Sequence, residues 1–196
     1  MNTRRLILKS GLALLALPLS ALAQPEKRLR RIGYSSLSSA QSDVGFLAGF
    51  RAGMAALGWV EGRDYVIDAR HANGVAQAGP GLAAELVATR PDLLLAPADE
   101  AVRLLAQNTK TIPIVVANSQ DPVGTGHVAS LRRPGGNVTG LTNLSSELGA
   151  KRLQLLKEAF PSVAHVVLLF EPGNVGSVSQ AKEFEKAAPR LGLRIT

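Results

Sequence analysis

Short apolar runs of strand length alternate along this chain with stretches of helical period, and that alternation leaves few folds open. Residues 29–35, 64–70, 92–96, 112–117, 138–142 and 163–170 read as strands, and residues 193–196 begin a seventh. Within residues 38–58, Phe46, Phe50, Met54 and Leu57 recur at spacings of four, four and three, one helical face stopped by Gly58. Further helices are predicted over 80–89, 100–108, 123–131, 145–159 and 178–191. In the second, Leu82, Leu86, Ala83 and Val87 face inward; in the fifth, Leu148, Leu153, Leu155 and Leu156. The unbroken run Leu93-Leu94-Leu95 suits a strand buried on both faces of a parallel sheet. The expected fold class is therefore α/β, a Rossmann-like doubly wound parallel sheet. One unit closes at the fifth strand and another opens near Ser145. The predicted organisation is a first lobe over 24–143 and a partial second lobe over 144–196.

The chain opens on an address rather than on a fold. Arg4, Arg5 and Lys9 form a positive region, residues 11–22 an apolar one, and Ala21-Leu22-Ala23 a small-x-small cleavage site before Gln24. That apolar run is too short for the roughly 20 residues a bilayer span needs. Thr3-Arg4-Arg5-Leu6-Ile7-Leu8-Lys9 is similar to the twin-arginine export motif, with the general secretory route as the alternative. Residues 1–23 are thus an expected export signal, and the expected location is periplasmic and bacterial.

Without the leader's three basic residues, 19 of the 22 remain against 15 acidic ones. Those 19 are scattered apart from Lys27-Arg28-Leu29-Arg30-Arg31, and aromatics make up 4% of the chain, so nucleic acid is not an expected partner. The absence of cysteine excludes disulfides, thiolate nucleophiles and sulfur-ligated metals. His71, His127 and His165 have no metal-ligand spacing, and neither a Gly-x-Ser-x-Gly elbow nor a phosphate loop occurs. No cofactor, no metal and no enzymatic activity are expected, although a dispersed Ser-His-Asp set stays open.

The run from Asp121-Pro122-Val123-Gly124 to Arg133-Pro134-Gly135-Gly136-Asn137-Val138-Thr139-Gly140-Leu141 follows the buried fourth strand directly. With it, in order, stand Leu57-Gly58-Trp59-Val60-Glu61-Gly62-Arg63-Asp64, Thr111-Ile112-Pro113-Ile114-Val115 and Lys151-Arg152-Leu153-Gln154-Leu155-Leu156-Lys157-Glu158. Together these segments make the chain resemble the ABC-transporter substrate-binding proteins of the type I periplasmic-binding fold. The likeness runs to the branch that includes binders of tryptophan and other aromatic amino acids, and it covers about Arg31 to Thr196. It implies two Rossmann-like lobes, a ligand in the cleft between them, and permease subunits as the membrane partner. Members are longer, which implies a chain truncated in lobe 2.

In a parallel sheet the carboxyl ends of all strands share one edge, where open α/β proteins place small ligands. The loops 35–39, 96–100, 118–121 and 171–174 converge there. Candidate ligand contacts are the hydroxyls of Ser35, Ser36 and Ser38, then Ala98, Asp99, Ser119, Asp121, Glu171 and Asn174. Backbone N–H groups at the following helix starts favour an anion such as an amino-acid carboxylate. Asp121 with Pro122 reads either as a helix cap or as a ligand contact. Asp99 reads either as a cap of the third helix or as a receiver of a ligand ammonium group. The function these readings imply is capture of a small amino-acid-like solute for an ABC importer. The alternatives are a non-catalytic one-lobe fragment or interaction module and, behind it, an exported α/β hydrolase.

Overall fold

The computed structural model describes residues 28–145 and 148–196, so the export signal expected over 1–23 lies outside the described residues. Five strands, β1 (Arg30–Ser36), β2 (Tyr65–His71), β3 (Leu93–Ala96), β4 (Ile114–Ser119) and β5 (Val138–Thr142), pair in parallel in the order β2-β1-β3-β4-β5. Three helices cover them: α1 (Val44–Ala56) on one face, α2 (Gly79–Ala88) and α3 (Asp99–Asn108) on the other. This is the doubly wound parallel sheet that the alternation of elements predicts.

The strand residues divide with a period of two. Leu94, Ala96, Ile114 and Val116 pack with Leu86 of α2 and with Val102, Leu104 and Leu105 of α3. Ile32, Tyr34, Leu93, Leu95 and Val115 meet Phe46, Leu47, Phe50 and Met54 of α1. Because both faces are covered there, both phases of β3 are apolar and it shows no polar alternation.

Helix α1 starts later than the spacing predicts, at Val44 rather than residue 38, because Ser39 and Ser42 close a turn ahead of it. Its end explains a second difference. Trp59 N–H donates to Met54 O and Gly58 N–H to Ala55 O, 2.9 Å each, with Gly58 at φ +81°. This Schellman ending turns Leu57 out to 76% exposure and lays Trp59 against the core instead.

The helix predicted over 123–131 does not form; the chain there makes turns. Gly124 and Gly126 each weaken a helix by about 1 kcal/mol, and Gly126 takes φ +76°. Asp121 closes a single turn instead, its Oδ1 accepting from Gly124 N–H at 2.7 Å. The segment then drops Val128 into the core beside Val116 and Val138.

A second, smaller sheet follows. Helix α4 (Gly149–Ala159), β6 (His165–Val166), α5 (Val175–Ala187), a 3₁₀ turn (Ala188–Leu191) and β7 (Arg194–Ile195) enclose Leu153, Ala188 and Leu193. The strand predicted over 163–170 is shorter in register, although Leu168 N–H still donates to Thr196 O at 2.8 Å. Burial of that run does not follow: Val167, Leu169 and Phe170 are exposed, Leu169 at 92%. In α4, Leu153 is buried while Leu148 and Leu155 are exposed.

Gly140 has a backbone reason to be glycine. It sits at φ +147° opposite the shift in β4–β5 register, and a Cβ there would lie 2.0 Å from Val116 O. A Cβ on Gly33 would meet only side chains, Leu94 Cδ2 at 3.0 Å and Leu86 Cδ1 at 3.1 Å, which can give way. Urea unfolding should therefore show Gly140→Ala losing about 3 kcal/mol and Gly33→Ala about 1 kcal/mol. Equal losses would contradict the close approach of β5 to β4.

Candidate functional site

In the order β2-β1-β3-β4-β5, the connection from β1 runs over one face and that from β2 crosses to the other. The two directions part between β1 and β3, and a crevice opens outside their carboxyl ends. A cleft of about 410 Å³ occupies that place. Ser36, Leu37 and Ser38 enter it from the end of β1, Pro97, Ala98, Glu100 and Ala101 from the end of β3 and the start of α3. Glu171, Gly173 and Asn174, ahead of α5, form the opposite wall.

The predicted site residues separate into three groups. Ser36, Ser38, Ala98, Glu171 and Asn174 line the cleft together. Ser35, Asp99 and Ser119 are buried behind it, at 5%, 2% and 0% exposure. Asp121 stands to one side: besides Gly124 N–H it accepts from Ser179 Oγ of α5 at 2.6 Å, so it ties the loop after β4 to α5. The predicted helix cap at Asp121 is accordingly the cap of a turn.

Asp99 is not the cap of its helix either. Ala98 is the N-cap residue, without a side-chain hydrogen bond, and Asp99 turns its carboxylate inward. Its Oδ1 accepts from Ser119 Oγ at 2.5 Å and its Oδ2 from Gln120 N–H at 2.9 Å. Gly176 of α5 lies so near that a Cβ there would be 2.8 Å from Asp99 Oδ2. The carboxylate thus joins the start of α3, the end of β4 and the start of α5. Glu100, the neighbouring acid, pairs with Arg103 one turn on.

Three features of the site carry no pattern that spacing alone reveals. Asp43, at the foot of α1, lines the cleft and its Oδ2 lies 3.0 Å from His71 Nδ1. Gly74 and Ala76 also line it, from the loop after β2. That loop was legible in principle, since β2 is parallel to the others and ends at the same edge. The third is Tyr34, outside the lining, fully buried and stacked on Phe46 at 5.5 Å between centroids. Burial pushes its phenol well above the ordinary tyrosine range.

His127 faces Asp99, with Nε2 3.7 Å from Oδ1, beyond hydrogen-bond range. Its side chain is 6% exposed, and this burial lowers its pKa, partly offset by the charge of Asp99. Among the described residues no group of three or more His, Asp or Glu side chains is placed to hold a metal ion.

Two experiments test this junction. Asp99→Ala leaves the Ser119 hydroxyl and Gln120 N–H without their acceptor and should cost about 2–3 kcal/mol in urea unfolding. The unfolded chain protonates His127 before the folded one does. Stability should therefore be complete above pH 6.5 and drain as the pH falls from there through the depressed folded value, by at most about 1.4 kcal/mol per pH unit. His127→Gln should flatten that slope in melts taken from pH 7.5 to 5; an unchanged slope would exclude His127 as its source.

The family model described as ABC transporter substrate binding protein matches residues 35–196. A tyrosine-binding protein of Clostridioides difficile (strain R20291) is 28% identical over 169 residues, 86% of this chain and 48% of its own length. The solved structure of a conserved domain protein from Vibrio cholerae superposes with a TM-score of 0.76 at 30% identity, over 86% of this chain and 56% of that one. The structure of an ABC domain with bound L-Trp from Streptococcus pneumonia gives 0.74 at 28% identity over the same shares. The chain spans about half the length of these relatives.

Proposed function

The chain belongs to the ABC transporter substrate-binding protein family, and from that premise we propose that it serves an ABC importer by binding a small amino-acid-like solute in the cleft and presenting it to the permease subunits. One observation carries the reading. The cleft at the crevice between β1 and β3 is walled on its far side by Glu171 and Asn174, which precede α5 of the second sheet. Residues 24–143 and 144–196 then act as two lobes that close on the ligand. In this reading Ser36, Ser38, Ala98, Glu171 and Asn174 touch the solute, while Ser35, Asp99 and Ser119 hold the wall behind them. Asp121 with Ser179, and Asp99 against Gly176, lie where the lobes meet. Closure is a hinge motion driven by the ligand's preference for the closed state, with no bond made or broken.

The relatives support the ligand class, one being a tyrosine-binding protein and another carrying L-Trp. In this reading the leader expected over residues 1–23 directs export of the mature chain to the periplasm, by the twin-arginine route or the general secretory one. No described helix is long and apolar enough to cross a membrane.

Thermal melts of the purified chain with a panel of amino acids test this reading. A ligand at a hundred times its dissociation constant adds about 2.7 kcal/mol, several degrees for a chain of this size. The expected result is a shift confined to one chemical class and lost in Ser36→Ala with Asn174→Ala. A cooperative melt that no amino acid moves would overturn the proposal.

A further inference from the structure

We propose that the cleft selects a diamino acid, a small aliphatic amino acid with a second cationic group, of the lysine and ornithine kind. This rests on reading the cleft as the ligand site.

Its charge is one-sided. Asp43, Glu100 and Glu171 all line it, and among the described residues no Lys, Arg or His does. Two of the three have cationic or titratable partners that are not themselves part of the lining, His71 for Asp43 and Arg103 for Glu100. Glu171 is exposed, and its carboxylate has no hydrogen bond or ion pair among the described residues.

The seat for an anion is correspondingly small. Much of the donor capacity around the cleft is already spent within the chain. Ser38 N–H goes to Ser36 Oγ at 3.1 Å, and Ser177 N–H at the start of α5 goes to Asn174 Oδ1 at 3.0 Å. The start of α3 differs, because its cap residue Ala98 offers no side-chain acceptor and the Asp99 carboxylate points inward. One ligand carboxylate fits there, on the positive end of the helix. An ammonium group beside it meets Asp43, which lines the cleft.

A neutral zwitterion answers that pair of groups and leaves Glu171 unanswered, the one lining carboxylate without a partner among the described residues. Closure strips water from that carboxylate, and an unpaired carboxylate is costly to desolvate. A second cation, reaching Glu171 across the cleft, removes that cost. The apolar side chains of the lining, Leu37, Ala76, Pro97, Ala98 and Ala101, receive an aliphatic stem and offer no aromatic ring to stack on an aromatic side chain.

Titration calorimetry on the full chain at low salt separates the outcomes, with L-lysine, L-ornithine, cadaverine, L-leucine, L-tyrosine and L-tryptophan as probes. L-Lysine or L-ornithine should bind about tenfold more tightly than L-leucine, the order a partly desolvated ion pair supplies. Glu171→Gln should reduce that advantage to about twofold while leaving the ligand-free melt where it was. Tighter binding of L-leucine, L-tyrosine or L-tryptophan would overturn the diamino-acid assignment and keep the cleft as a ligand site. Cadaverine binding as tightly as L-lysine would overturn the carboxylate seat at α3, and with it the assignment. Glu171→Gln without effect on L-lysine would also overturn it. No heat with any probe would overturn both the assignment and the reading of the cleft on which it rests.

Discussion

Between β1 and β3 the sheet reverses the side on which its connections run, with α1 on one face and α2 and α3 on the other. Neither helix layer crosses above that point, so the carboxyl ends of the two strands are left uncovered. The rest of the molecule depends on this constraint. Parallel pairing sends the loops after β1, β2 and β3 to the same edge, and both faces of the sheet must be buried to allow it. The core is therefore spent on holding the strands in register, and the polar residues gather where the core cannot reach.

Asp99 shows how the edge is kept rigid. A carboxylate at 2% exposure is tolerable only when its oxygens are satisfied, and Ser119 and the Gln120 N–H satisfy them. The same group abuts Gly176 of α5, so a buried carboxylate lies at the contact between the two parts of the chain. The Asp121–Ser179 hydrogen bond adds a second polar contact there.

The second sheet has a different character. Its enclosed residues are few, and Phe160, Val167, Leu169 and Phe170 face outward, in a chain that spans about half the length of its relatives. The first sheet buries Leu86, Leu94, Val102, Leu105 and Ile114 at 0% exposure. Most apolar burial, and so most folding free energy, resides in the first sheet.

The sequence by itself determined the alternation of parallel strands and helices, because strand-length apolar runs and period-3.6 spacing are local, and its combined motifs carried the resemblance to the family; the strand order β2-β1-β3-β4-β5 was decided by the tertiary structure. The sequence also put Ser36, Ser38 and Ala98 at one edge, since that follows from strand direction, whereas Glu171 and Asn174 follow β6 of a separate sheet and reach the cleft through the tertiary structure. What it did not determine were features set by contacts distant along the chain. The predicted helix over 123–131 gave way to turns because Gly124 and Gly126 are poor helix formers and Val128 has a core site to fill. Leu57 left its helical face because the chain reverses at Gly58 and brings Trp59 in its place. Asp99 and Asp121 read locally as helix caps, yet the tertiary structure gave them partners 20 and 58 residues away. A side-chain carboxylate goes to whichever donors the fold brings within 3 Å, and local spacing does not encode that distance.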